Sequence, residues 1–455
     1  MENLKRGGKR QPNILFVLPD QLGSVWTSTY GNPDVHTPTL DAFAAEGVLF
    51  RQAYTNTPLC APYRGALFTG RYPHQTGLTC NGRRIPHGET TLAHLLNQGG
   101  YHTSYVGKWH LSGPPHGNRW IPPMERAGFQ SFIGWESHHI DHWKGLIFEE
   151  EDRPVVLPGH ETDGLTELVC DKLGSLKDRK EPFCLFAAYQ SPHQPCSPPE
   201  PFASLYRGKA YADQDRLPPS AVFRNHYGNE ERGREISLNE YREAYFGEIT
   251  QMDAAFGRIL GKLSELGLDR NTIVIFTSDH GDMAGRHGLF EKSVMYEEAV
   301  RIPLVIRVPD GPGNAVCDSL FSTVDFLPTL LELCGLPPHE GAEGISYARA
   351  IRGERQTAER KAAYMSHYEN GQAGHCIRFG PLKFMTNLSA TDPLALFDLD
   401  QDPYEDHNLL AQPGHEEMAR QLQVRIRQWQ QDTLQRAGDP AEAAEMSPWF
   451  KERMA

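Results

Sequence analysis

TPLCAPYRGALFTGR, residues 57–71, sets the plan of the chain, and Cys60 is its centre. Pro62 suits the first turn of a helix, where a missing N–H costs nothing, and Gly70 suits its end about two turns on. Cys60 then stands at or just before a helix N-terminus. Backbone N–H groups and the positive end of the helix dipole favour a bound anion there, and Arg64, one turn further, adds a fixed positive charge. A nucleophile in that position faces an anionic substrate. Taken alone, C-x-P-x-R is equally an ordinary buried cysteine beside a short helix, so the surrounding chain decides.

Upstream, NILFVLPDQ (13–21) is a continuous apolar run ending in a Pro-Asp-Gln turn. That pattern predicts a fully buried parallel strand whose carboxyl end delivers Asp20 and Gln21 to a crevice. TPTLDAFAAEGVLF (37–50) reads as a capped helix into a strand, and TLAHLLNQGGYHTSYVGKWHL (91–111) repeats the plan. If the end of that second strand is extended, Lys108 and His110 share a face, because residues two apart do. Loops rich in Pro, Gly, His and Trp follow from about 112, then a helix around 162–175, and then the strand PFCLFAAYQSPHQP (182–195) carrying His193 at its end. Residues 196–236 are a polar, Pro-rich excursion. Apolar residues at 241, 245, 249, 252, 256, 259, 260, 263 and 266 predict one long helix from Ser237 to Gly267. It leads into NTIVIFTSDHGD (271–282), which brings Asp279 and His280 to the same kind of strand end.

Asp20, Lys108, His110, His193, Asp279 and His280 therefore fall at the ends of four predicted strands, where open α/β sheets bind ligands. The two Asp residues suit a hard divalent cation, calcium or magnesium, and no Cys/His spacing argues for a closed zinc site. YMSHY, HCIRFGPLKFMTN and LALFDLD predict short antiparallel strands late in the chain, with an amphipathic helix near 415–435.

A 455-residue chain that is 39% hydrophobic and 23% charged is long enough for one large domain plus a smaller one. The net charge of −13, with no basic tract beyond KRGGKR (5–10), argues against nucleic acid as a partner. Positive charge for an anionic substrate must then be a local patch. Eight cysteines are scattered without C-x-x-C spacing and read as mostly reduced core residues. ILFVL is too short for a signal h-region, and no later run reaches transmembrane length, so a cytoplasmic protein away from membranes is the expectation.

C-A-P-Y-R followed by G-A-L-F-T-G-R resembles the signature of the type I sulfatases of the alkaline-phosphatase-like superfamily. The resemblance extends to GKWHL, SPHQP, HGLFEKSVMYEEAVRIPL (287–304), VDFLPTLLELCGLP and LFDLDQDPYEDHNL. It implies an alkaline-phosphatase-like α/β fold: a large, mostly parallel sheet flanked by helices in a catalytic domain over 1–350, and a smaller α+β subdomain with a short antiparallel sheet over 351–455. It also implies oxidation of Cys60 to Cα-formylglycine by a maturation enzyme, the hydrated aldehyde being the nucleophile. Asp20, Gln21, Asp279 and His280 match the metal positions, completed by residue 60, and the cation is expected to be Ca2+, with Mg2+ or Mn2+ as alternatives. Many relatives have Asp in place of Gln21 and Asn in place of His280, so His280 departs from the commonest pattern.

In the implied mechanism the metal and Arg64 hold the nucleophile, Asp279 takes its proton, and Lys108 and Lys292 neutralise the sulfate. His193, helped by Lys292, protonates the leaving alcohol, and His110 assists release of sulfate. The resulting expectation is a sulfatase acting on a sulfated carbohydrate or an aryl sulfate. The alternatives are a phosphonate monoester or phosphodiester hydrolase, and a sulfate-ester-binding protein if Cys60 stays a thiol. His287, His139 and Trp109 are further candidates for substrate contact. The cluster ESHHIDHW (136–143) has three histidines and two acids but follows no metal spacing, and a wall of the substrate pocket is the role open to it. Self-association into a homo-oligomer is left open.

Overall fold

Asn13–Leu18 is buried along its whole length and lies inside a ten-stranded sheet, which is why it reads as an unbroken apolar run rather than an alternating one. The computed structural model describes residues 11–435 apart from 115–116, 137–138, 214–221, 225–232, 357–358 and 369–373. The basic stretch KRGGKR, much of the 196–236 excursion and two residues of the histidine-rich cluster lie outside the described residues.

The sheet runs in the order Ala315–Cys317, Val48–Phe50, Leu304–Arg307, Thr272–Thr277, Asn13–Leu18, Phe183–Ala188, His102–Lys108, Ser131–Trp135, Leu146–Phe148, Pro154–Val156. The five strands from Thr272–Thr277 to Ser131–Trp135 are mutually parallel. Leu304–Arg307 pairs antiparallel with both its neighbours, and the Leu146–Phe148 and Pro154–Val156 strands are antiparallel as well. The sheet is thus parallel at its centre and mixed at its flanks. The strand from GVLF, Val48–Phe50, sits three places away from Asn13–Leu18.

Alternate residues of the first strand serve two cores. Ile14, Phe16 and Leu18 pack with the helices Cys60–Thr69, Leu92–Gln98 and Phe326–Leu333 on one face. Leu15 and Val17 pack on the other face with the helices Pro38–Ala45, Glu161–Leu176 and Leu238–Glu265. Each such side chain contributes roughly 1.5–3 kcal/mol relative to exposure. The long helix starts at the N-cap Ser237, whose side chain accepts from Glu240 N, and it buries Tyr241, Tyr245, Ile249, Met252, Phe256, Ile259 and Leu263 at near-helical spacing.

Late in the chain Ala362–His367, Gly374–Phe379, Leu382–Asn387 and Pro393–Asp398 form a four-stranded antiparallel sheet in sequence order. The helix Glu416–Gln435 lays Ala419, Leu422, Ile426 and Trp429 on it, and Trp429 stacks on Tyr364 at 4.7 Å between ring centroids. Among the described residues no helix is long and apolar enough to cross a membrane.

Candidate active site

The parallel strands deliver their carboxyl ends to one edge of the sheet, and Cys60 meets them there. Its helix, Cys60–Thr69, is entirely buried and has no side-chain cap at Leu59. Asn81, twenty residues on, supplies the missing acceptor: its Oδ1 takes the Ala61 N–H at 3.0 Å. Gly70 ends the helix at φ 67, a left-handed conformation that suits glycine.

Around Cys60 Sγ lie Nε2 of His280 at 3.2 Å, Oδ1 of Asp20 at 3.6 Å and the Lys108 ammonium at 3.7 Å. Lys108 Nζ pairs with Asp20 Oδ2 at 2.7 Å, while Arg64 Nη2 reaches Asp20 at 3.2 Å and Asp279 at 3.4 Å. Arg64 is itself held by the Lys108 carbonyl at 2.6 Å and the Tyr105 hydroxyl at 3.2 Å. Asp20, Arg64, Lys108, Asp279 and His280 are all fully buried. Gln21 N donates to Asp279 Oδ1 at 3.0 Å, and Lys292 donates to Gln21 Oε1 and, at 2.5 Å, to His193 Nε2.

Burial pushes the Asp20 carboxyl up, but Lys108, His193, His280 and Arg64 outweigh it and hold Asp20 well below the usual carboxylate range. Asp279 goes the other way, raised by burial and by the neighbouring Asp20 charge. Burial, and then Asp20, push the Cys60 thiol up to about 12. A thiol held neutral in this way is a poor nucleophile at neutral pH.

The donor set fits a cation. His280 donates Nδ1–H to the Gly281 carbonyl at 3.1 Å, so its Nε2 lone pair faces inward. Burial holds the ring neutral, lowering its pKa. That lone pair lies 3.8 Å from Asp20 Oδ1 and 3.7 Å from Asp279 Oδ1, and with Cys60 these atoms all fall within 4.8 Å of one another. Acceptors converging on one point is the geometry of ligands around a metal ion.

A second cluster, His142, His160 and Glu248, brings its side-chain atoms as close together, but its hydrogen bonds do not suit a metal. His160 Nδ1 accepts from Thr162 N at 3.3 Å, so its inward Nε2 carries a proton. The Gln190 amide is oriented by both backbone groups of Ile140 and presents Nε2 to His142 Nε2 at 2.9 Å, leaving the proton on the inward Nδ1. Both rings therefore aim N–H groups at Glu248, a polar network under the loop that carries His193.

The remaining sequence candidates divide. His193 is buried after the Phe183–Ala188 strand, and the half-buried His139 ring stacks beside it with centroids 6.3 Å apart. His110 is buried, but the strand ends at Lys108 and His110 takes φ 61, so strand alternation does not set its direction. His287, at φ 54, stacks on Tyr296 at 4.1 Å. Trp109 is fully buried and packs against Phe68, Tyr105, Phe129 and Phe132, the surroundings of a core residue. Sequence reasoning missed Asn81 and Asp282. The latter lies in the quoted SDHGD string, but nothing in the string shows that it receives the Gln21 amide.

A sequence profile described as "Sulfatase" matches residues 12–336, and one described as "N-sulphoglucosamine sulphohydrolase, C-terminal" matches residues 285–432. The chain belongs to the sulfatase family. It is a sulfuric ester hydrolase with an alkaline-phosphatase-like fold. Among relatives, the sulfatase is 31% identical to an ulvan-active sulfatase of Formosa agariphila, over 91% of this chain and 80% of that protein. It is 26% identical to an N-acetylglucosamine-6-O-sulfatase of Bacteroides thetaiotaomicron, over 92% of this chain and 86% of that one. A structure solved in complex with its substrate, D-glucosamine-2-N,6-O-disulfate, superposes with a TM-score of 0.75 at 24% identity, covering 95% of this chain and 99% of that one, a likeness of fold.

Proposed function

We propose that this sulfatase hydrolyses sulfate esters of carbohydrates at the Cys60 site, after a maturation enzyme has converted Cys60 to formylglycine. The observation that carries the reading is the convergence of three cations, the buried Arg64 and Lys108 and the half-buried Lys292, with two carboxylates on one nucleophile position. Formylglycine supplies, as its hydrate, the hydroxyl nucleophile that the neutral Cys60 thiol does not. Asp20, Gln21 Oε1, Asp279 and His280 Nε2 hold the cation, Ca2+ by their oxygen-rich chemistry, which supplies charge stabilisation at the nucleophile and the sulfate.

The residues of the chain do the rest. Arg64 fixes both carboxylates, and Lys108 stands beside residue 60, placed to neutralise a sulfate oxygen. Asp279, its carboxyl raised by burial and by the Asp20 charge, is the group that takes the proton of the nucleophile. Lys292 holds a proton against His193 Nε2, and this pair protonates the leaving alcohol. His110 assists sulfate release. The carbohydrate assignment draws on the relatives' substrates and on the His139 wall beside His193.

The test is peptide mass spectrometry across residue 60 on protein co-produced with a formylglycine-generating enzyme, paired with sulfate release from sulfated monosaccharides and from an aryl sulfate. The expected peptide is about 18 Da lighter than the cysteine form, and Cys60→Ala is expected to abolish release while the protein stays folded. Turnover of phosphonate monoesters in preference to every sulfate ester would overturn the reading.

A further inference from the structure

Gln21 is the one uncharged oxygen donor in the proposed cation site, and only one end of its amide serves a cation. Its backbone is pinned: N donates to Asp279, O accepts from the Tyr245 hydroxyl at 2.6 Å, and φ is 70. The side chain is left with one ambiguity, which end of the amide faces in. Two neighbours settle it. The Lys292 ammonium only donates, so the atom facing it is Oε1. On the other side Nε2 lies 2.6 Å from Asp282 Oδ2.

Asp282 is fully buried, and donors surround it. Oδ2 accepts from the Tyr241 hydroxyl at 2.7 Å as well as from Gln21, while Oδ1 accepts from Ala284 N at 2.7 Å and Glu291 N at 3.1 Å. With Oε1 fixed by the Lys292 ammonium, the amide nitrogen is the end left for Oδ2, and the Tyr241 hydroxyl and the two backbone N–H groups complete the donors around Asp282. We propose that Asp282 is a positioning residue: its carboxylate locks the Gln21 amide with Oε1 turned toward the cation site. The proposal rests on the reading of Gln21 as a metal ligand. Tyr241, from the long helix, shares the lock and ties it to the core.

The lock can be inverted without changing shape. In Asp282→Asn, the backbone N–H groups of Ala284 and Glu291 keep the remaining carbonyl oxygen where Oδ1 was, so the new NH2 faces Gln21. Two NH2 groups then oppose each other, and the Gln21 amide must turn over, aiming its NH2 at the cation. Adding Gln21→Glu restores an oxygen at both ends, because a carboxylate has no wrong way round.

The experiment is calorimetric titration of chelator-stripped, full-length protein with Ca2+. Asp282→Asn is expected to weaken Ca2+ by about tenfold or more, as loss of an outer-shell partner does, and the Gln21→Glu/Asp282→Asn pair is expected to bind at least as tightly as the wild type. A merely structural Asp282 would show no such rescue, so a double variant as weak as the single one overturns the proposal. Unchanged affinity in Asp282→Asn, alongside loss in Gln21→Ala, overturns the lock alone; unchanged affinity in Gln21→Ala overturns the ligand reading and the lock with it. A crystal structure of the Ca2+-loaded wild type needs no variant. Gln21 oxygen within about 2.3–2.6 Å of the ion, with its nitrogen on Asp282, supports the proposal, and either contact missing overturns it.

Discussion

Nε2 of His193 lies 2.5 Å from the Lys292 ammonium, while its Nδ1 lies 2.6 Å from the Gln194 carbonyl. A carbonyl only accepts, so Nδ1 carries the ring proton and Nε2 offers Lys292 a lone pair. Burial, and then Lys292, hold the His193 pKa well below its usual range. Burial works against the charged Lys292, but Cys60, Glu291, Asp20 and Asp279 outweigh it and raise its pKa. In the proposed reaction the proton for the leaving group is thus stored on Lys292, with His193 as its partner.

Loss of that stored proton should be felt in proportion to how badly the leaving group needs one. Lys292→Ala is expected to lower kcat/KM by about 10²–10⁴-fold on alkyl or sugar sulfates, and far less on a nitrophenyl sulfate, whose phenolate departs unaided. The check is a plot of log kcat/KM against leaving-group pKa, which should be steeper in the variant. Parallel plots would remove the pair from the proton-transfer step.

Strand ends were legible in the sequence because a buried parallel strand must read as an unbroken apolar run, and its polar terminus then stands out. NILFVL before Asp20 and TIVIFT before Asp279 are both of this kind. Pairing partners were not legible. Leu304–Arg307 has the same apolar look as the central strands, yet it pairs antiparallel with both its neighbours, since direction depends on connections that local composition does not record. Side-chain direction beyond a strand end was equally hidden. Trp109 and His110 follow Lys108 directly, and the turn at φ 61 is visible only in three dimensions. The His142–His160–Glu248 cluster gathers from three distant segments, so no spacing rule could have found it, and only the hydrogen bonds on the outer ring atoms separate it from a metal site.

Removal of the cation should leave facing lone pairs on His280 and the two carboxylates. Chelation is expected to lower the thermal midpoint and abolish sulfate release, with both restored by Ca2+. At Ca2+ a hundredfold above its dissociation constant, binding to the folded state alone contributes about 2.7 kcal/mol. A midpoint independent of Ca2+ across a thousandfold concentration range would contradict the site.

Trp109 tests the distinction between packing and recognition. Its indole is packed edge-on against Tyr105 and Phe132 at 5.0 and 5.3 Å, deep behind Lys108. Trp109→Ala should cost about 3–5 kcal/mol of stability, read by denaturant unfolding. Trp109→Phe should recover most of it, and KM for any accepted substrate should be unchanged in that milder variant. A raised KM with stability intact would return Trp109 to the substrate pocket.

Glu136 offers a pH-dependent test at a carboxyl that is not one of the proposed cation ligands. It is buried, accepts the Ser112 N–H at 3.0 Å, and burial pushes its carboxyl up to about 8 from an ordinary 4.5. Between those two values the folded state keeps a proton that the unfolded state has lost, so stability falls as pH rises through that window and the full cost is present above it. Glu136→Gln mimics the protonated acid and preserves the Ser112 hydrogen bond. Its thermal midpoint should match the wild type near the lower value and exceed it by about 2–5 °C above the upper one. An equal shift at both ends of the range would mean that the carboxyl stays ionised throughout, paired strongly enough to offset its burial.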